Sequence, residues 1–167
     1  MEASLIREAS LILMDIQPAS ILDLGPLQQL ERACFDADRW PLLDLLAVLT
    51  FPDVIRLKAL VDNRMVGFVA GDQRESRGFS WIATIAVLPA YQKQGIGRAL
   101  LTECESRLTT PRVRLCVRTD NGGAIRLYEQ VGYERIDVWR GYYKDKADAI
   151  IMEKARNHGG TSQLHGG

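Results

Sequence analysis

The stretch from Trp81 to Leu101, WIATIAVLPAYQKQGIGRALL, constrains what this chain can fold into more than any other. Ile82 to Leu88 is an apolar run of strand length, and Pro89 ends it. Ala90 to Gly97 is a turn holding Gly95 and Gly97. From Ile96 the apolar residues Leu100, Cys104 and Leu108 recur at helical spacing. Strand, glycine turn and helix in direct succession make a place for phosphate. The first N–H groups of a helix have no internal partner, and the helix dipole adds partial positive charge there. Gly95 and Gly97 lack the Cβ that would hold an anion away, and Lys93 and Arg98 add charge.

Two phosphate motifs are excluded by spacing. A dinucleotide fingerprint needs a third glycine where this chain has Leu100, and a Walker loop needs Gly-Lys-Ser/Thr. What stands here is Gln92-Lys93-Gln94-Gly95-Ile96-Gly97 after a strand closing in Val-Leu-Pro. This resembles the acetyl-coenzyme A signature of the GNAT N-acetyltransferases, Q/R-x-x-G-x-G/A.

A second segment, Leu115 to Tyr133, reads LCVRTDNGGAIRLYEQVGY. From the residues alone, Asn121 caps a helix, Tyr128 sits on its apolar stripe and Gly132 closes it. The same positions match the family pattern of an Asn at the helix start, a Tyr seven residues on, and a closing Gly-aromatic pair. The resemblance implies that Asn121 touches the coenzyme and that Tyr128 gives a proton to the departing thiolate. It also implies a pyrophosphate held by the amides of Gln94, Gly95, Ile96, Gly97, Arg98 and Ala99, with Gln92 and Lys93 beside them. The pantetheine arm would run along the backbone of Ile85, Ala86 and Val87, at an edge where the central strand splays from the strand of Cys116.

The run Arg140-Gly141-Tyr142-Tyr143 through Asp148-Ala149-Ile150-Ile151-Met152 is similar to the closing segment of the ribosomal-protein and N-terminal protein acetyltransferases. So is Leu30 to Phe35 with the later Trp40. This implies a substrate site of Phe35, Asp36, Asp38, Trp40, Tyr142 and Tyr143. One position departs from that group. Its bacterial ribosomal-protein members carry Leu-Glu-Val-Arg where this chain has Leu115-Cys116-Val117-Arg118. The missing glutamate is their proposed general base. Cys116 is either a weak acceptor, with Arg114 and Arg118 lowering its pKa, or a small apolar filler.

Taken in order, the chain begins with a short duplication, Glu2 to Ile6 against Glu8 to Ile12, to which no function attaches. A strand is expected over Leu11 to Ile16, with Pro18 in the first turn of a helix. Helical spacing follows from Leu24 to Cys34, where Gly25-Pro26 can split the region, and again over Leu42 to Leu49. Val54 to Val61 and Met65 to Gly71 read as a hairpin around Asp62-Asn63-Arg64, and Asp72 to Gly78 as a polar turn. Arg112 to Arg118 alternates as a strand. Tyr133 to Trp139 and Ala149 to Glu153 are the last strands.

The order predicts an α/β class, an α+β mixed sheet of about seven strands flanked by about four helices. It matches the order in the GNAT family, and the resemblance spans residues 12–154. One domain over 1–155 is expected, with a polar tail over 156–167, disordered, where His158 and His165 are tail and not metal ligands. No metal is expected.

Lys plus Arg is 21 and Asp plus Glu is 21. That balance argues against nucleic acid and membrane surfaces as partners. Three cysteines without metal spacing, and an N-terminus broken by charges, fit reduced thiols and a cytoplasmic place. The expected reaction is direct transfer from acetyl-CoA, the cosubstrate, to a primary amine, foremost a protein or peptide N-terminal α-amine. A small-molecule amine acetyltransferase would share every coenzyme residue and differ in the substrate loops. A noncatalytic acetyl-CoA sensor would keep the turn, and an enzyme of longer acyl groups would need a wider tunnel near Tyr128.

Overall fold

The structure, a computed structural model, describes residues 13–156. The duplication at Glu2 to Ile12 and the tail from residue 157 onward, with both histidines, lie outside the described residues.

A seven-stranded mixed sheet runs through the molecule in the order β1-β2-β3-β4-β5-β7-β6. Its strands are β1 (Met14–Pro18), β2 (Val54–Val61), β3 (Arg64–Arg74), β4 (Phe79–Val87), β5 (Arg112–Arg118), β6 (Glu134–Trp139) and β7 (Ala149–Ala155). Four helices flank it: α1 (Leu24–Cys34), α2 (Leu42–Thr50), α3 (Ile96–Arg107) and α4 (Gly122–Gln130). The mixed α/β class read from the sequence is the one observed.

The sheet divides two cores. On one face, Leu27 and Leu30 of α1 and Leu45, Val48 and Leu49 of α2 bury Phe68, Ala70 and Ala86. On the other, Leu100, Leu101 and Cys104 of α3 and Ile125 and Tyr128 of α4 meet Val69, Ile82, Leu115 and Met152. Each helix contributes one apolar stripe, and Glu31 of α1 and Glu105 of α3 are buried beside theirs.

Three local readings are corrected. Pro18 is not in a helical turn; it ends β1, which among the described residues pairs with β2 alone, so the missing N–H costs nothing there. Gly25 and Pro26 do not split the helix, because they occupy its first turn, where backbone donors lack helical acceptors anyway. A capped 3-10 turn over Ile21–Asp23 leads in, with Ser20 and Asp23 bonding reciprocally. Most of Asp72 to Gly78 is strand: β3 continues to Arg74 because Asp72, Gln73 and Arg74 pair with Trp81, Ser80 and Phe79. The turn shrinks to Glu75–Arg77, and Gly78 closes it at φ 71°. The Asp62-Asn63 hairpin is as expected, with both residues at positive φ, 49° and 60°.

One irregularity positions the site. Opposite Ala70 and Gly71, β4 carries an extra residue, Ala83, between Ile82 and Thr84. Before this bulge Ile82 faces the core of α3; after it Ile85 and Val87 do, and Ala86 faces α1.

Candidate active site

At that bulge the sheet opens. β4 and β5 run parallel from Phe79 and Arg112 only to Ile82 and Leu115. Leu88 N–H donates to Val66 O at 2.8 Å. Antiparallel alternation then turns the backbone groups of Thr84 and Ala86 toward β3 and those of Ile85 and Val87 toward the side β5 has left. Ala86, expected beside them, has its backbone in the β3 ladder. The Val87 carbonyl accepts from Gln92 Nε2 at 3.0 Å and Cys34 Sγ at 3.3 Å. Gln92 therefore ties the glycine turn to the strand before it.

The turn reverses through Lys93 at φ 61° and Gly95 at φ 84°, and α3 starts directly afterwards. Ala99 N–H already donates to Gly95 O at 3.0 Å. Ala99 is thus no part of the open cradle, because its amide makes the first bond of the helix. Ile96, Gly97 and Arg98 are left as first-turn donors without a helical acceptor. Ile96 offers its backbone alone, since its side chain is in the core.

Packing does not demand glycine at 97. A Cβ there would meet Leu127 and Val87 side chains at 3.7 Å, an ordinary contact. Glycine inside a helix costs about 1 kcal/mol against alanine. What it keeps clear is space in front of the amides. That space is a cavity of about 660 Å³ whose walls include Val87, Lys93, Gly97, Arg98 and Arg126. None of the three cations is in an ion pair among the described residues. Open amides, unpaired cations and a missing Cβ fit a phosphate-bearing ligand. Arg126 went unread in the sequence, where it was one charge on a helix; its place beside the turn comes from the packing of α4 on α3.

A smaller cavity of about 240 Å³ opens on the other side of the split. Phe35, Asp38 and Trp40 come to it from the α1–α2 connection, Tyr142 and Tyr143 from the β6–β7 connection, and Cys116 and Arg118 from β5. Asp36, expected with them, does not line it. It lies in the bend after Phe35, where its carbonyl accepts from Arg39 Nε at 3.0 Å.

Both cavities share Phe35, Ile85, Asn121, Ala124 and Tyr128. Asn121 caps α4, its Oδ1 accepting from Ala124 N–H at 3.1 Å, and still borders both spaces. Tyr128 is 6% exposed and packs edge-on against Tyr133 at 5.9 Å between centroids. Burial pushes its phenol up to about 12, so the group holds its proton at neutral pH.

Cys116 does not behave as a thiolate. Burial raises its pKa, opposed by the hydroxyl of Tyr143 at 3.9 Å. The neighbouring arginines give no help because carboxylates hold them: Arg114 by Glu153 at 2.6 Å, Arg118 by Asp38, Asp120 and Asp145. Beneath this side lies Glu31, 2% exposed. Its Oε2 accepts from Trp40 N–H at 3.4 Å, and its Oε1 has no partner among the described residues. Burial lifts this carboxyl above the ordinary range. Among the described residues no group of histidine, cysteine and acidic side chains could hold a metal, and no helix is long and apolar enough to cross a membrane.

A split sheet whose bare strand backbone leads from a phosphate cradle to a buried phenol suits transferases that draw an acyl group from a coenzyme A thioester. The model of the acetyltransferase (GNAT) family matches residues 24–133, and the chain belongs to that family. It is thereby an acetyl-CoA-dependent N-acetyltransferase.

Among curated proteins it is 36% identical over 150 residues to the N-alpha-acetyltransferase RimI of Mycobacterium tuberculosis, covering 84% of this chain and 94% of that one. An uncharacterised protein of Mycobacterium leprae is 36% identical over 157 residues, 88% of this chain but 44% of that longer protein. Among solved structures, the ribosomal-protein alanine N-acetyltransferase of Escherichia coli superposes with a TM-score of 0.78 at 28% identity, over 90% of this chain and 98% of that one. NAA60 of Arabidopsis thaliana in complex with acetyl-CoA superposes at 0.76 with 22% identity, over 86% and 99%, a likeness of fold.

Proposed function

We propose that this protein transfers the acetyl group of acetyl-CoA to the α-amine of a protein or peptide N-terminus. The observation that carries the reading is the meeting of two cavities at Tyr128, one fitted to phosphate and one walled by aromatic side chains. Relatives named as N-alpha-acetyltransferase and ribosomal-protein alanine N-acetyltransferase support the choice of acceptor.

In this reading the amides of Ile96, Gly97 and Arg98 hold the pyrophosphate, with Lys93, Arg98 and Arg126 around it. The backbone of Ile85 and Val87 receives the pantetheine arm as an added strand would be received. The Val87 N–H faces the thioester carbonyl and stabilises the charge that develops on its oxygen. The neutral amine nitrogen forms the amide bond as the carbon–sulfur bond breaks, Tyr128 gives its proton to the sulfur, and the proton that the nitrogen loses passes through solvent and restores the phenol. Phe35, Trp40, Tyr142 and Tyr143 enclose the first residues of the acceptor. The enzyme works as one domain over 1–155 in the cytoplasm, where its three free thiols, Cys34, Cys104 and Cys116, stay reduced.

Incubation with acetyl-CoA and a mixture of peptides and small amines, read by fragment mass spectrometry, tests this. Acetyl groups should appear on peptide α-amines. Acetylation confined to polyamines or to lysine side chains would overturn the acceptor assignment.

A further inference from the structure

The acceptor cavity is closed by two connections from distant parts of the chain. Residues 35–41 follow α1, and residues 140–148 join β6 to β7. Among the described residues no hydrogen bond or ion pair joins these two segments directly. Each is instead bonded to one side chain, Arg118, at the end of the row Arg112, Arg114, Cys116, Arg118 on one face of β5.

The guanidinium is used in full. Nη1 donates to Asp38 Oδ2 at 2.7 Å in the first segment. Nη1 and Nη2 donate to both carboxylate oxygens of Asp145 in the second, at 3.2 and 2.5 Å. Nε and Nη2 hold Asp120, in the turn after β5, at 3.0 and 3.1 Å. The guanidinium carbon lies 4.9 Å from the centre of the Tyr143 ring, a wall of the cavity. A planar fork with five donors can serve three carboxylates and stack on an aromatic ring at once; an ammonium group cannot.

The geometry points to Arg118 as a positioning residue that clasps the two connections over the acceptor cavity and so determines which amine-bearing chains it admits. This rests on reading that cavity as the acceptor site. The clasp is independent of the coenzyme side, since Arg118 does not border the larger cavity. The guanidinium holds the carboxyls of Asp120 and Asp145 below the usual aspartate range.

Two measurements on the full chain test it. Hydrogen exchange needs no acceptor. In Arg118→Gln, amides of residues 35–41 and of 140–148 should exchange faster together, while those of 92–98 stay unchanged. Asp38→Asn should loosen the first segment more, Asp145→Asn the second, and Arg118→Lys should fail to restore either. Steady-state kinetics with a peptide α-amine should show the acceptor KM raised about tenfold in Arg118→Gln and Arg118→Lys, with kcat within about twofold and acetyl-CoA affinity kept. Exchange that rises in one segment or neither overturns the clasp, as does full rescue by lysine. If wild type turns over no peptide, the acceptor reading fails and the exchange result still decides the clasp.

Discussion

The two sides of the split sheet are built by different means. The coenzyme side is mostly backbone from one continuous stretch: the open edge of Ile85 and Val87, the turn at Gln92 to Gly95, and the first amides of α3. The acceptor side is made of side chains from three segments, with Arg118 bonded to Asp38 eighty positions away. A backbone cradle recognises what every phosphate has in common and tolerates change in most side chains. A side-chain cavity recognises one acceptor and changes with each substitution. Tyr128 stands where the two meet, so it is the place to test whether they act as one site.

The largest effect should come from that residue. Tyr128→Phe keeps the packing against Tyr133 and removes the proton. We expect kcat to fall roughly 10²-fold or more, the scale of general acid catalysis, with acetyl-CoA affinity nearly unchanged. Burial keeps the wild-type phenol protonated, so kcat should show no alkaline loss through about pH 10, where an unperturbed tyrosine ionises. A wild-type kcat in Tyr128→Phe would make the residue part of the core alone and leave the two cavities uncoupled.

Next come the glycines of the turn. Gly97→Val places a side chain in front of the open amides, and its Cβ meets the Leu127 and Val87 side chains at 3.7 Å, an ordinary contact. Loss of charge-assisted hydrogen bonds to phosphate should weaken acetyl-CoA about 10- to 100-fold by calorimetry. Gly95→Val adds backbone strain, because its φ is 84°. The acceptor cavity should keep its shape in Gly97→Val. A variant that binds acetyl-CoA as well as wild type would show that the cradle is not where phosphate sits.

This contrast explains what could be read from the sequence. The strand, the turn and the helix are neighbours in the chain, so their order and glycines appear directly in Trp81 to Leu101. The cap and stripe of α4 are local as well, and with them Asn121 and Tyr128. The bulge at Ala83 leaves no mark in composition, because it arises from the register against β3. Ladder pairing with Phe79 to Trp81 turned Asp72 to Arg74, polar in sequence, into strand. Asp36 and Asp38 are equivalent as residues in a loop; only the folded path sends Asp38 to Arg118 and leaves Asp36 outside. The roles of Arg118 and Arg126 depend on partners far along the chain, and no spacing rule reaches that distance.

The acceptor side also carries a cost that the backbone cradle lacks. Glu31 is buried with one oxygen unpartnered. Its folded-state pKa is raised, so its contribution favours the fold below the ordinary carboxyl range and is lost as pH rises through the raised value. Glu31→Gln keeps an acceptor for Trp40 N–H and removes the charge. Its Tm at pH 7 should rise about 2–4 °C, the shift that roughly 1 kcal/mol of relieved desolvation gives in a chain of this size. The gain should vanish in acid, where Glu31 is itself neutral. An equal gain at pH 4 and pH 7 would separate the effect from ionisation.

The smallest effect concerns the group facing the attacking amine. An amine must be neutral to attack. An α-amine has a pKa of about 7.7–8.0 and a lysine amine about 10.4, a difference of roughly 3.4 kcal/mol in deprotonation. Cys116 borders the acceptor cavity as a thiol held protonated by burial, with Tyr143 Oη 3.9 Å away. A site with no carboxylate at that position suits the amine that is cheaper to deprotonate. kcat/KM should therefore climb with pH along the acceptor's own titration and level off above it. Cys116→Glu should raise the rate below pH 7 by about threefold and flatten the climb. That is far short of the roughly 10²-fold of a positioned base, because the surrounding side chains are not arranged to orient a new carboxylate. Rate profiles of both proteins with a peptide α-amine and with a lysine peptide decide the point. A preference for lysine side chains at neutral pH would mean that another group takes the proton, and the acceptor side would then hold a base that Cys116 does not supply.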